Sequence, residues 1–217
     1  MASVPVSMVC LGRHDRSDAA SKVVIEAERR GAEVEFAIDH EMEFGLDQGS
    51  IDWRGALSSA NWLVSSSDMV LEGESMKGAW GASLVFSELE GSKTAMLVTV
   101  PEDPSRMEEA WGHVIQRIRQ IGLLYLSKEA LEAVAELEDS EPPELIDEVR
   151  TKGMVPIVCS FDPSGGVSKI SHSLGREEMA LGDLISPHCW LASFICGLST
   201  SGPGPSGIVA AARSVVL

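Results

Sequence analysis

The chain has 217 residues, 44% hydrophobic and 23% charged, enough to bury one core in a single domain spanning 1–217. Its formal charge of −16 excludes nucleic acid as a partner, because a phosphate backbone demands clustered Lys and Arg. The same charge argues against an anionic membrane surface.

The elements follow in chain order. Val6–Leu11 is apolar and β-like, and Gly12-Arg13-His14-Asp15 follows as a loop read as exposed. Ser17 or Asp18 caps a helix through Val23, Val24, Ile25 and Ala27, with Gly31 as its stop. Glu33–Ile38 alternates as a half-exposed strand. Ile51-Asp52-Trp53 opens a short helix that stops near Ser58, and Trp62–Val64 is a short buried strand. A helix covers Ser75–Leu89 and ends at Gly91. Ala95–Val100 is a continuous apolar run, the pattern of a strand covered on both faces.

Ser105 starts a helix through Trp111 and Ile118, and Ile121–Leu126 is the next strand. Ser127 caps the helix Lys128–Leu137. A further helix, Glu144–Thr151, ends at Gly153. Val155–Cys159 is a strand, Asp162–Gly166 a sharp turn and Val167–His172 another strand. Two helices, Pro187–Leu198 and Ser206–Val216, close the chain. Strands alternating with helices at short spacing predict an α/β fold, a mainly parallel central sheet flanked by helices.

Cys10, Cys159, Cys189 and Cys196 form no C-x-x-C pair, and the histidines lack zinc-ligand spacing, so no metal site is expected. Free thiols of a reducing cytoplasm are the natural reading. The N-terminus lacks a basic segment followed by a long apolar one, and no apolar run reaches a membrane span. Cytoplasmic localisation is therefore expected. P-loop, dinucleotide-fold and hydrolase-elbow signatures are absent.

Four segments, in order, resemble one family. Ile51-Asp52-Trp53 leading to Ala60–Ser66 is similar to "DW…ADWLHLSG". Leu123–Glu132 is similar to "DVLIANEEEA", and Pro156–Gly166 to "VVVTLGAEGA". Pro187–Leu217 is similar to "GAGDAFVAGFLYGL…EALRFAAAAGALAV". The chain thus resembles PfkB/ribokinase-type carbohydrate kinases, nearest to 2-keto-3-deoxygluconate kinase, with degenerate motifs. The resemblance implies a three-layer ribokinase-like fold reduced at the N-terminus, with residues 33–50 where the family carries its β lid. It implies ATP and magnesium as cofactors and a sugar or sugar acid as ligand. A homodimer would cover the shortened sheet edge.

Carried over by resemblance, the family's general base falls on Cys189, and the glycine-rich loop that aims backbone N–H groups at the phosphoryl reads Ser186-Pro187-His188. Pro187 has no N–H to donate. His188 is a substitute base in principle, and Asp183 matches the Asp that opens the loop. Glu129 matches the glutamate that acts near magnesium, but the preceding Asn is Leu126 here. Ser160 and Gly165 match the nucleotide-side turn, where Asp162 replaces the first glycine. The reading that follows is a sugar-kinase homologue with phosphotransfer weakened or lost. Its rivals are an active sugar or sugar-acid kinase and a non-catalytic interaction scaffold.

Overall fold

The structure, a computed structural model, describes residues 5–13, 15–38, 48–182 and 184–216. The expectations for His14, for Asp183 and for 39–47 of the lid segment lie outside the described residues. The strands are β1 (Ser7–Leu11), β2 (Glu33–Phe36), β3 (Trp62–Ser66), β4 (Lys93–Val98), β5 (Leu123–Ser127), β6 (Ile157–Asp162), β7 (Val167–His172) and β8 (Gly175–Ala180). They form one sheet in the order β2-β1-β3-β4-β5-β6-β7-β8. The first six are parallel, while β7 and β8 are antiparallel to their neighbours.

The helices are α1 (Ala19–Glu28), α2 (Trp53–Leu57), α3 (Glu74–Glu90), α4 (Met107–Gln116), α5 (Lys128–Leu137), α6 (Pro142–Gly153), α7 (Pro187–Ser201) and α8 (Pro205–Arg213). Strand side chains alternate between two cores. Ala95, Leu97, Leu123, Tyr125, Cys159 and Phe161 face α1, α7 and α8. Met96, Val98, Leu124, Leu126 and Val158 face α2 to α6, where Trp53, Trp80 and Trp111 pack. Burial on both faces is why these strands read as unbroken apolar runs. The result is the three-layer α/β arrangement expected from the sequence.

β8 was not foreseen. Its residues Gly-Arg-Glu-Glu-Met-Ala bury only Met179, so an edge strand with one covered position carries almost no apolar periodicity. Its charges, like Glu33 and Glu35 on β2 at the other edge, discourage pairing with a further chain. The stop of α6 also differs. Gly153 is buried inside the helix, where an added Cβ would lie 2.6 Å from Cγ1 of Ile118. The left-handed cap is Met154, at φ 56°. Left-handed backbone costs an L-residue about 1–2 kcal/mol, part of which glycine's greater unfolded-state freedom offsets. Met154→Gly is therefore expected to stabilise the protein by about 0.5–1 kcal/mol, read from the urea midpoint. A loss of stability would contradict this cap.

Candidate functional site

β1 has β2 on one side and β3 on the other, so the chain reverses direction across the sheet at β1. In open α/β sheets the crevice outside the carboxyl ends at such a switch point is where ligands bind. Three segments meet there: Gly12 and Arg13 after β1, Ser67–Glu72 after β3, and Glu102 beyond β4. Asp18 caps α1, accepting from the Ser21 N–H at 2.9 Å, the Ser21 hydroxyl at 2.6 Å and the Arg13 N–H at 2.8 Å. Arg13 donates through Nε and Nη2 to Glu72 at 3.0 and 2.6 Å, and through Nη1 to Glu102 at 3.0 Å. Its Nη2 lies 3.5 Å from Asp68.

Burial pushes the Asp68 carboxyl above its ordinary range, with the Ser66 hydroxyl and then the charge of Arg13 pulling the other way. The loop 12–15, read from sequence as simply exposed, thus carries an arginine mostly withdrawn from water and bound to carboxylates. No sequence signal announces this, because the partners lie 59 and 89 residues away.

A second group lies at the carboxyl ends of β5 and β6. Ser127 caps α5 through the Ala130 N–H at 3.1 Å. Lys128 in the first turn reaches Asp162 at 3.0 Å and the Ser164 hydroxyl at 3.1 Å. Asp162 also accepts from the Ser164 N–H and hydroxyl, and these bonds together with Lys128 hold its carboxyl down at about 2. Ser160 is buried on the α5–α6 side and joins Lys128, Glu132, Asp162 and Lys169 around a cleft of about 270 Å³. Glu129 is exposed. Gly166, at φ 60°, supplies the left-handed residue of the turn, whereas Gly165 is not in that region.

The third group is the start of α7. β8 ends beside the Asp162–Val167 turn, and the Leu181 N–H donates to the Gly166 carbonyl at 2.8 Å. The segment leading to α7 therefore leaves from the same carboxyl edge. Ser186 is the N-cap, and its hydroxyl accepts from the Cys189 N–H at 3.2 Å. Pro187 is the first helical residue. The Cys189 sulfur accepts from Nη2 of Arg30 at 2.9 Å, so the thiol is engaged by the segment just past the C-terminus of α1. His188 is half-buried. Burial and the nearby Lys22 push its imidazole below the ordinary value, with Glu26 opposing.

One residue on, Trp190 is fully buried and stacks on Phe161 and Phe194 at centroid distances of 5.4 and 5.1 Å. Tyr125 tilts against it at 6.3 Å. This stack fixes the first turn of α7 over the ends of β5 and β6.

No protein-family model and no curated protein matches the chain. Solved structures do. The PfkB protein of Polaromonas sp. JS666 is 11% identical, with the alignment covering 98% of this chain and 95% of that one at a TM-score of 0.70. Fructokinase from Vibrio cholerae O395, solved with fructose, ADP and calcium ion, is 13% identical, covering 97% and 91% at 0.71. The 2-dehydro-3-deoxygluconokinase of Thermotoga maritima is 13% identical, covering 98% and 91% at 0.66. The fold is that of the PfkB/ribokinase sugar kinases.

Within this ribokinase-like fold the expected site residues fall into two sets. Ser186, His188 and Cys189 share the first turn of α7, and Glu129, Ser160 and Gly165 lie around the β5 and β6 ends. Sequence reasoning missed Lys128, whose partner is 34 positions away, and the Arg13 cluster. Leu126 stands where the resemblance implies an asparagine close to magnesium, and it does not suit that ion. Leu126 is a fully buried apolar side chain, and hard cations take oxygen ligands. Among the described residues no three His, Cys, Asp or Glu side chains are grouped to hold a metal ion. No described helix is long and apolar enough to cross a membrane.

Proposed function

We propose that this chain binds a small hydroxylated ligand, a sugar or sugar acid, at the carboxyl edge of a ribokinase-like sheet, and that phosphotransfer is weakened or lost. One observation carries the reading. The α7 N-terminus, which would have to present free N–H groups and a proton-accepting carboxylate, offers Pro187, an amide bound to its own cap and a thiol bound to Arg30. Phosphoryl transfer is mainly positioning and charge stabilisation, and both are compromised at one turn. The same edge has Asp162 and Lys128 paired where the family turns around a nucleotide. The buried Leu126 adds no oxygen for magnesium.

The second reading is an active kinase that uses His188 as its base. Burial and Lys22 favour the neutral imidazole, the form that accepts a proton. Sugar-dependent ADP formation separates the two. A rate within the ordinary kinase range of about 1–100 s⁻¹ would support the active reading and end the first.

A further inference from the structure

The crevice between the carboxyl ends of β1 and β3 holds hydrogen-bonding capacity that the fold itself does not use. Among the described residues, the buried hydroxyls of Ser65 and Ser67 and Oδ1 of Asp68 have no partner. All three belong to one run of four residues, and Asp68 is 9% exposed. Folded proteins satisfy nearly all buried polar groups, and each orphan costs stability. Such violations concentrate where a site is prepared for a ligand. The position agrees independently, since this is the switch point of the sheet.

The charges around the crevice state what kind of ligand fits. Arg13 is its cation, and that guanidinium is already bound to Glu72 and Glu102 and lies against Asp68. Asp18 sits beside it as a fourth carboxylate, its oxygens bound to Ser21 and the Arg13 N–H. Arg106 is nearby but is held by Glu109 and the Leu71 carbonyl. Among the described residues, an incoming anion therefore meets a surplus of negative charge: Arg13 and Arg106 are already bound to carboxylates, and Arg16 is stacked over the Phe36 ring at 4.1 Å. What remains on offer is an acceptor, Asp68 Oδ1, with hydroxyls that donate or accept.

We propose that the β1–β3 crevice binds a hydroxyl-rich ligand that is neutral or carries an amine, with Asp68 accepting from it and Ser67 completing the contact, and that it discriminates against sugar acids. This rests on reading the carboxyl edge as a small-molecule site, and it narrows that reading from any sugar or sugar acid to one electrostatic class. Ligand entry requires Glu72 and Glu102, the more exposed members of the cluster, to give way around Arg13.

Calorimetric titration of the full chain with D-fructose, D-ribose, D-glucosamine and D-gluconate tests this, alongside Asp68→Asn and Ser67→Ala. At least one of the three neutral or amine-bearing sugars is expected to bind at least tenfold more tightly than gluconate. Asp68→Asn should weaken that binding at least tenfold while Glu72 and Glu102 still hold Arg13. Ser67→Ala should weaken binding several-fold and yet raise the melting temperature, because it removes an unpartnered buried hydroxyl. A purely structural serine would not show that opposition.

Tighter binding of gluconate, no binding of any of the four, or unchanged affinity in both variants would overturn the proposal. Phosphotransfer is measured separately as ADP formation. A fructose-binding protein that also turns over ATP would sink the loss-of-transfer reading and leave the crevice assignment standing.

Discussion

Trp190→Ala is expected to cost about 3–5 kcal/mol of unfolding free energy, the usual range for emptying a large aromatic from a packed core. Trp190 is fully buried between Phe161 and Phe194, and its indole Nε1 has no partner among the described residues. The loss is therefore one of packing alone, with no hydrogen bond to confuse it. Trp190→Phe should retain most of the stack and lose markedly less. Urea denaturation followed by far-ultraviolet circular dichroism reads both variants. A cost below about 1 kcal/mol for the alanine variant would mean that the first turn of α7 is not held by this stack. The link to function is direct, because the same turn carries Ser186 to Cys189.

The second large effect is a gain. Replacing Ser186→Gly, Pro187→Ala, His188→Gly and Cys189→Asp together restores the family's loop letters. It returns an N–H at position 187, frees the Cys189-position amide from the Ser186 hydroxyl and supplies a carboxylate. A positioned general base is worth about 10²–10⁴ in rate, so sugar-dependent ADP formation should rise at least about 100-fold. Arg30 contacts Sγ of Cys189 in the unmodified chain, so Arg30→Ala belongs in the same set to keep the new carboxylate free. A folded quadruple variant with no gain in either background would show that this turn is not what limits transfer.

Much of the architecture is legible in the letters because local signals and burial agree. Asp18 and Ser127 both cap helices where the sequence places them, and each makes the N-cap bond expected of its type. The unbroken apolar runs of β4 and β5 announced strands covered on both faces. Boundaries slipped where such runs shade into loops. Ala95–Val100 is observed as Lys93–Val98, and Val155–Cys159 as Ile157–Asp162. β8 escaped because a charged edge strand has only one buried residue to betray it. Gly153 misled because a glycine at a helix end usually signals the left-handed cap, whereas here Ile118 demands its small size.

The site was legible only as a set of departures. Cys189, Pro187 and Leu126 stand out against the letters that the resemblance implies, and in the structure they meet an arginine, the first helical turn and the buried core. The crevice between β1 and β3 was invisible for a physical reason. Arg13, Asp68, Glu72 and Glu102 come from three separate segments and meet only because the parallel sheet aligns their carboxyl ends. Lys128 and Asp162 meet for the same reason across β5 and β6.

The most direct test is the rate at which the unmodified chain converts ATP–Mg to ADP in the presence of fructose, ribose, glucosamine or 2-keto-3-deoxygluconate. The account predicts turnover at least about 100-fold below the ordinary kinase range of about 1–100 s⁻¹ with every one of them. Turnover inside that range with any of the four would contradict it.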